Sequence, residues 1–229
     1  MCRSTLDKWW PVTYDFGLIQ APVETVLERR LQMYLYHGSD DCTRQDLNRP
    51  LELCFKTLEP LSFQHTKEMY LATRFGWTAF FKNGTRGSDP FLPMLQSSKA
   101  LGVCAMRICI TPAKSTCPGV IWEVYDTEEN GGDARGYRRS IAAANDGGRW
   151  VFETSGDPFP FEELDRYTAR KKRDRFPADL LWTYLREMGI PHISDSDFMI
   201  GDACKGGIIA RPKIEGARHL SLDEAIIAY

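Results

Sequence analysis

GYRRSIAAANDGGRWVFETSG, residues 136–156, is the stretch from which the fold is read. Two apolar, small or β-branched flanks, RSIAAA and RWVFET, are separated by Asn145-Asp146-Gly147-Gly148. A type I′ turn needs positive φ at both central residues, which Asn, Asp and Gly tolerate best. Such flanks suit a pleated, half-buried surface. The stretch predicts a β-hairpin. Successive strand side chains point to opposite faces, so one of Arg138 and Arg139 should point toward whatever the sheet buries. A buried arginine needs a carboxylate or several carbonyls. Glu153 across the turn and Glu123 on the preceding strand are the candidates. The alternative is that the inward arginine lines a cleft and holds an anionic ligand.

Upstream of the hairpin, VCAMRICIT (103–111) is nearly continuous in apolar residues, which predicts a central strand covered on both faces and ended by Pro112. GVIWEVYD (119–126) is a further strand, and EMYLATRFGWTAFFKNG (68–84) reads as two strands parted near Gly76 and ending at Asn83-Gly84. PFLPMLQSSKALG (90–102) predicts a short helix with a glycine stop. WWPVTYDFGLI (9–19) reads as extended, with Pro11 placing any strand at an edge. After Pro22, VETVLERRLQMYLY carries Val23, Val26, Leu27, Leu31, Tyr34 and Leu35 at helical spacing, with Glu24, Glu28, Arg29 and Arg30 on the other side and Gly38 as a stop. The polar segment up to Arg49 reads as a connector, followed by a weaker helical pattern over residues 50–61. Downstream, residues 158–176 read as helical, with Phe161, Leu164, Tyr167 and Thr168 in register, and 178–188 as a second helix closed by Gly189. Residues 190–216 read as irregular with one edge strand in GGIIARPKI, and Ser221 to Glu224 is a capping box before a last helix.

Helices, then strands, then helices favour an α+β class. The expected sheet is mostly antiparallel, of about five to seven strands, with N-terminal helices and a C-terminal helical pair packed on it. A helix-grip arrangement, a curved sheet around a long C-terminal helix, is the runner-up topology. The chain divides into 1–64, 65–200 and 201–229, or forms one domain.

Its 229 residues carry a net charge of −2, which argues against nucleic-acid or membrane-surface binding. No run approaches the ~20 apolar residues of a membrane span. Seven cysteines without a CxxC pair point to a reducing, cytoplasmic setting. His37, His65, His192 and His219 are scattered without metal-ligand spacing, and there is no GxSxG, phosphate loop or GxGxxG. The expectation is therefore no catalytic set, metal or cofactor. Glu123, Asp126, Glu128, Glu129 and Asp133 form an acidic stretch, read as a solvated loop or a patch for a basic partner. The basic residues between Arg166 and Arg175 read as a solvated helix end or a protein contact, with nucleic-acid binding as the third reading.

The segments WTAFFKNGTRGSDPF, RSIAAANDGGRWVFETSGDPFPFE and YTARKKRDRF, with GVIWEVYD, resemble a group of uncharacterised bacterial proteins over residues 76–198. The resemblance implies a bacterial, stand-alone protein and carries no functional residue. By analogy of class, it points to an immunity protein or antitoxin that neutralises a toxin or effector by direct binding. Arg138, Arg139, Arg149, Trp150, Tyr167 and Arg170 are the candidate binding residues, with Trp77 a further aromatic anchor. The alternative is a small-ligand site or enzyme in a concave sheet, using Arg138 or Arg139 with Glu123 and Asp126.

Overall fold

A computed structural model describes residues 3–38, 41–112, 115, 117–126, 136–212 and 215–228. In chain order the elements begin with α1 (Thr5–Lys8), α2 (Trp10–Thr13), β1 (Asp15–Ile19), α3 (Val23–Tyr36), β2 (Thr43–Arg49) and α4 (Leu51–Lys56). They continue through β3 (Leu61–Ser62), β4 (Lys67–Ala72), β5 (Thr78–Lys82), α5 (Phe91–Leu101), β6 (Ala105–Thr111) and β7 (Gly119–Tyr125). The hairpin strands β8 (Arg139–Asp146) and β9 (Arg149–Ser155) follow, then α6 (Ala178–Glu187), β10 (Cys204–Ala210), β11 (His219–Leu220) and α7 (Leu222–Ile227).

Nine strands form one antiparallel sheet in the order β2-β10-β4-β5-β1-β6-β7-β8-β9, while β3 and β11 pair separately. The class is α+β, as the order of elements predicts, with more strands than expected. The hairpin turns through Gly147 and Gly148, at φ +59° and +89°, and Gly148 N donates to Asn145 Oδ1. Helix α5 ends on Gly102 in the left-handed region, and the Ser221–Glu224 capping box is formed.

Helices cover both faces. On one, α2, α4, α6 and α7 bury an aromatic-rich core that includes Phe55, Phe81, Trp122 and Tyr184. On the other, α3 and α5 cover Ile19, Tyr70, Phe80, Ala105, Tyr125 and Ile209. Two glycines let these helices lie close to the sheet. A Cβ on Gly17 would stand 2.4 Å from Met94 Sδ of α5, and one on Gly207 would stand 2.8 Å from Leu27 Cδ1 of α3.

Four local readings change. Trp9 caps α2 and residues 10–13 form it, with Pro11 in its first turn, and β1 lies fifth of nine strands instead of at an edge. The segment TRQDLNR is a strand, β2; it sits at the sheet edge, where polar side chains meet water, so no apolar alternation marks it. The strand within GGIIARPKI is β10, and it lies between β2 and β4, not at the edge. Residues 158–176 form only two short 3₁₀ turns, Leu164–Thr168 and Lys172–Asp174. Here Glu162 and Tyr167 are drawn into a tertiary network, which overrides their helical spacing.

Candidate functional site

The face under α3 and α5 carries one ionisable residue on each of five neighbouring strands: Glu68 (β4), Lys82 (β5), Asp15 (β1), Arg107 (β6) and Glu123 (β7). Alternation places each on the same side as Tyr70, Phe80, Ile19, Ala105 or Tyr125, which all contact that core. The signs run −, +, −, +, −, so every charge has an opposite neighbour.

One end of this row is satisfied within the protein. Arg107 Nε and Nη2 donate to Asp15 at 2.9 and 2.8 Å, and its Nη1 lies 3.6 Å from Glu123. The hydroxyls of Tyr125 and Tyr137 also donate to Glu123, at 2.8 and 3.2 Å. Burial pushes the Asp15 carboxyl up, although Arg107 pulls against it. Burial likewise pushes the adjacent Cys109 thiol up to about 12, which disfavours its thiolate form.

The other end opens into a cleft of about 350 Å³ between α3, β4, β5 and α5. Arg30 is buried and forks onto Glu68, with Nε at 3.3 Å from Oε2 and Nη2 at 3.1 Å from both oxygens. Its Nη1 donates to Gln96 Oε1 at 2.8 Å. Tyr70 OH donates to Glu68 at 2.7 Å. Burial would raise Glu68, but Arg30, Lys82 and the hydroxyls of Tyr70 and Tyr34 outweigh it and hold the carboxyl below its usual range. Glu68 and Arg30 thus neutralise each other with their hydrogen-bonding capacity largely filled.

Two further cations line the same cleft, Lys82 and Arg211. Among the described residues, Lys82 Nζ reaches no carboxylate closer than Glu68 Oε1, at 4.0 Å. Arg211 stacks 5.4 Å above the centroid of the Tyr34 ring and donates through Nη2 to His65 O. Arg211 Nε is buried and has no hydrogen-bond partner among the described residues. Met33, Leu92 and Pro93 give the cleft an apolar wall, and His37 stands exposed beside it. Buried polar groups are normally paired, so an orphaned guanidinium N–H on a cleft wall marks a place for an acceptor. With Glu68 matched by Arg30, neither Lys82 nor Arg211 has a carboxylate within hydrogen-bonding distance among the described residues, Glu68 and Asp89 acting on Lys82 only at longer range. The arrangement suits an oxyanion on a small, partly apolar molecule.

The residues proposed from sequence lie elsewhere and do not converge on one cavity. Arg139 is buried, and its partner is Glu162, at 2.6 and 2.8 Å, instead of Glu153 or Glu123. It also donates to Ser155 O and Gly156 O, so its fork is used up. Arg139 faces the aromatic core side, whereas Glu123 faces the α5 side, so the two cannot share a site. Tyr167 donates to Glu162 at 2.8 Å and belongs to the same closed network. Arg138 donates to Asp157 O and stacks 4.9 Å above Phe159. Arg149 and Arg170 are exposed, and Trp150 is half-buried beside a hollow of about 440 Å³ that also includes Arg173. Trp77 is buried core. Asp126 follows β7, while Glu128, Glu129 and Asp133 lie outside the described residues.

Arg30 is the residue that sequence reasoning misplaced. It was assigned to the solvent face of α3, yet it follows Val26 by four residues and Leu27 by three, and so shares their buried side. A second signal was Glu68, two residues before Tyr70 on a strand with both faces apolar.

Among the described residues, no group of three or more His, Cys, Asp or Glu side chains converges as a metal would require, and no helix is long and apolar enough to cross a membrane. Compared with known proteins, the chain gives no significant match to any family model, curated protein or solved structure.

Proposed function

We propose that this is a binding protein for a small molecule bearing an oxyanion, carboxylate or phosphate, held in the cleft between α3 and α5. The observation that carries the reading is Arg211, whose buried Nε has no hydrogen-bond partner among the described residues, on the wall of a cleft already holding one neutralised Arg30–Glu68 pair. The ligand's anion would accept from Arg211 beside Lys82, while its carbon skeleton meets Met33, Leu92 and Pro93. Charge-assisted hydrogen bonds contribute about 1.5–3 kcal/mol each, so Arg211→Met should weaken binding by roughly ten- to a hundred-fold. Calorimetric titration with inorganic phosphate and short carboxylates is the test. An unchanged affinity in Arg211→Met, or no binding of either anion class by the native chain, would sink the reading.

A second reading keeps the protein partner: a bacterial cytoplasmic immunity protein or antitoxin that binds its toxin through the hairpin end. Its support is the exposure of Arg149 and Arg170 and the half-buried Trp150 beside the 440 Å³ hollow, residue types that anchor protein interfaces. Co-purification of a stoichiometric partner from the native host, lost on Trp150→Ala, is the corresponding measurement.

A further inference from the structure

Lys82 differs from the other described lysines. It is the buried one, 9% exposed, and its Nζ forms no hydrogen bond with any described residue. Lys67, by contrast, is tied down by Thr57 O and Glu59 O, and Lys8 sits at the surface with Glu52. Pairing of β4 with β5 sets Lys82 opposite Glu68, so the amine is fixed by the sheet and not by a mobile loop. Its Nζ lies 5.8 Å from the Phe80 ring centroid, and the side chain lines the 350 Å³ cleft.

The charged and titratable groups around it come from every neighbouring element: Glu68 on β4, Arg30 and Tyr34 on α3, Arg211 after β10, and His65 and Asp89 on the flanking loops. Glu68 and Asp89 favour the ammonium form; burial, Arg30 and Arg211 oppose it, and the balance lowers Lys82 below the usual lysine range. A desolvated lysine beside other cations is the environment in which an amine becomes a nucleophile toward carbonyl carbon.

We propose that Lys82 forms an imine with the carbonyl carbon of a short oxo acid whose carboxylate is held by Arg211. This deepens the oxyanion-binding reading and rests on it. The neutral Nζ donates its lone pair to the carbonyl carbon, and the C=O π electrons move to oxygen. One Nζ proton passes to that oxygen, giving a carbinolamine. Loss of the hydroxyl with the second Nζ proton releases water and leaves C=N. No oxidant or reductant is consumed. Two features of the cleft select the substrate class: a cation for the carboxylate and an apolar wall, Met33, Leu92 and Pro93, for a short alkyl chain. A free amine faces the space between them.

The test is hydride trapping on the native chain. Pyruvate, 4-oxopentanoate or the neutral ketone acetone is added with cyanoborohydride, and labelled lysines are mapped by peptide mass spectrometry. The expected result is Lys82 labelled about ten-fold more than any exposed lysine by one of the oxo acids, with little labelling by acetone, because bound substrate reacts at high effective concentration. Inorganic phosphate should suppress the adduct by competing at Arg211. Absence of an adduct at Lys82, or labelling spread over surface lysines, overturns the proposal; so does equal labelling by acetone. Calorimetric binding of carboxylate, measured on the same preparation, separates the two readings. If binding persists without an adduct, only the imine fails; if neither occurs, both fail. Lys82→Gln, checked for a native circular dichroism spectrum, should abolish the adduct, while the mapping on the native chain holds independently of how the variant folds.

Discussion

Among the described residues, two arginine–carboxylate pairs are fully buried on both sides, one on each face of the sheet, and they are chemically alike but differently finished. Arg139 and Glu162 face the aromatic core; the guanidinium also takes two backbone carbonyls, and the carboxylate takes Tyr167 and the Phe159 amide. Nothing in that cluster is left over. Arg30 and Glu68 are equally buried, but their pair borders a cleft where Lys82 and Arg211 add charge without a carboxylate of the described residues within hydrogen-bonding distance. Burial of an arginine therefore says little about function. What distinguishes a site is the donor that remains after internal partners have been counted.

The largest expected effect comes from breaking the closed pair. Arg139→Met leaves the fully buried Glu162 carboxylate without its counter-ion and should cost about 3–5 kcal/mol in urea denaturation at pH 7. Oxyanion affinity should be unaffected, since Arg139 lies on the opposite face; a large loss of affinity at retained fold would contradict the division between the two faces.

Glu68→Gln probes the open pair and should cost somewhat less, about 2–3 kcal/mol at neutral pH, because the cleft admits water to the cations it strands. The pH profile sharpens the comparison. Glu68 is held below the ordinary glutamate value of about 4.5 in the folded state, so below that pH the unfolded chain binds more protons. Its stabilisation is thus complete above about 4.5 and fades as pH falls through the folded value. The native and Glu68→Gln stability curves should converge in acid; a gap that stays constant down to pH 3 would mean the carboxylate's charge is not what matters.

The smallest effect is expected at the hairpin tip. Arg149→Ser, at an exposed position on β9, should change stability by no more than about 0.5 kcal/mol. Chemical denaturation checks this, and a larger loss would show that the tip carries structural weight.

The strands with strong local signals were legible. The hairpin turn, the apolar β6 and the glycine-stopped α5 each carry their evidence within a dozen residues. Strand β2 was not, because an edge strand with polar side chains looks like a connector. The 158–176 segment has helical spacing, but Glu162 is recruited by Arg139, twenty-three residues earlier in sequence, and tertiary contact decides. The burial of one hairpin arginine followed from strand alternation alone. Its partner did not, since Glu162 follows the hairpin on a connection whose path the spacing does not give. The cleft was illegible for a stronger reason: Arg30, Glu68, Lys82 and Arg211 meet only through the sheet order, and no local spacing links them.

That sheet order also has a consequence for how the chain is made. Strand β10 completes the row by entering between β2 and β4, both of which precede it by well over a hundred residues. At ribosomal rates of roughly 5–20 residues per second, β2 and the β4 edge wait on the order of ten seconds for their shared neighbour. During that interval an unpaired strand edge is presented to the cell, and Arg211, which follows β10 directly, has not yet been joined to the cleft. The cleft is therefore assembled last, as the final gap in the sheet is filled.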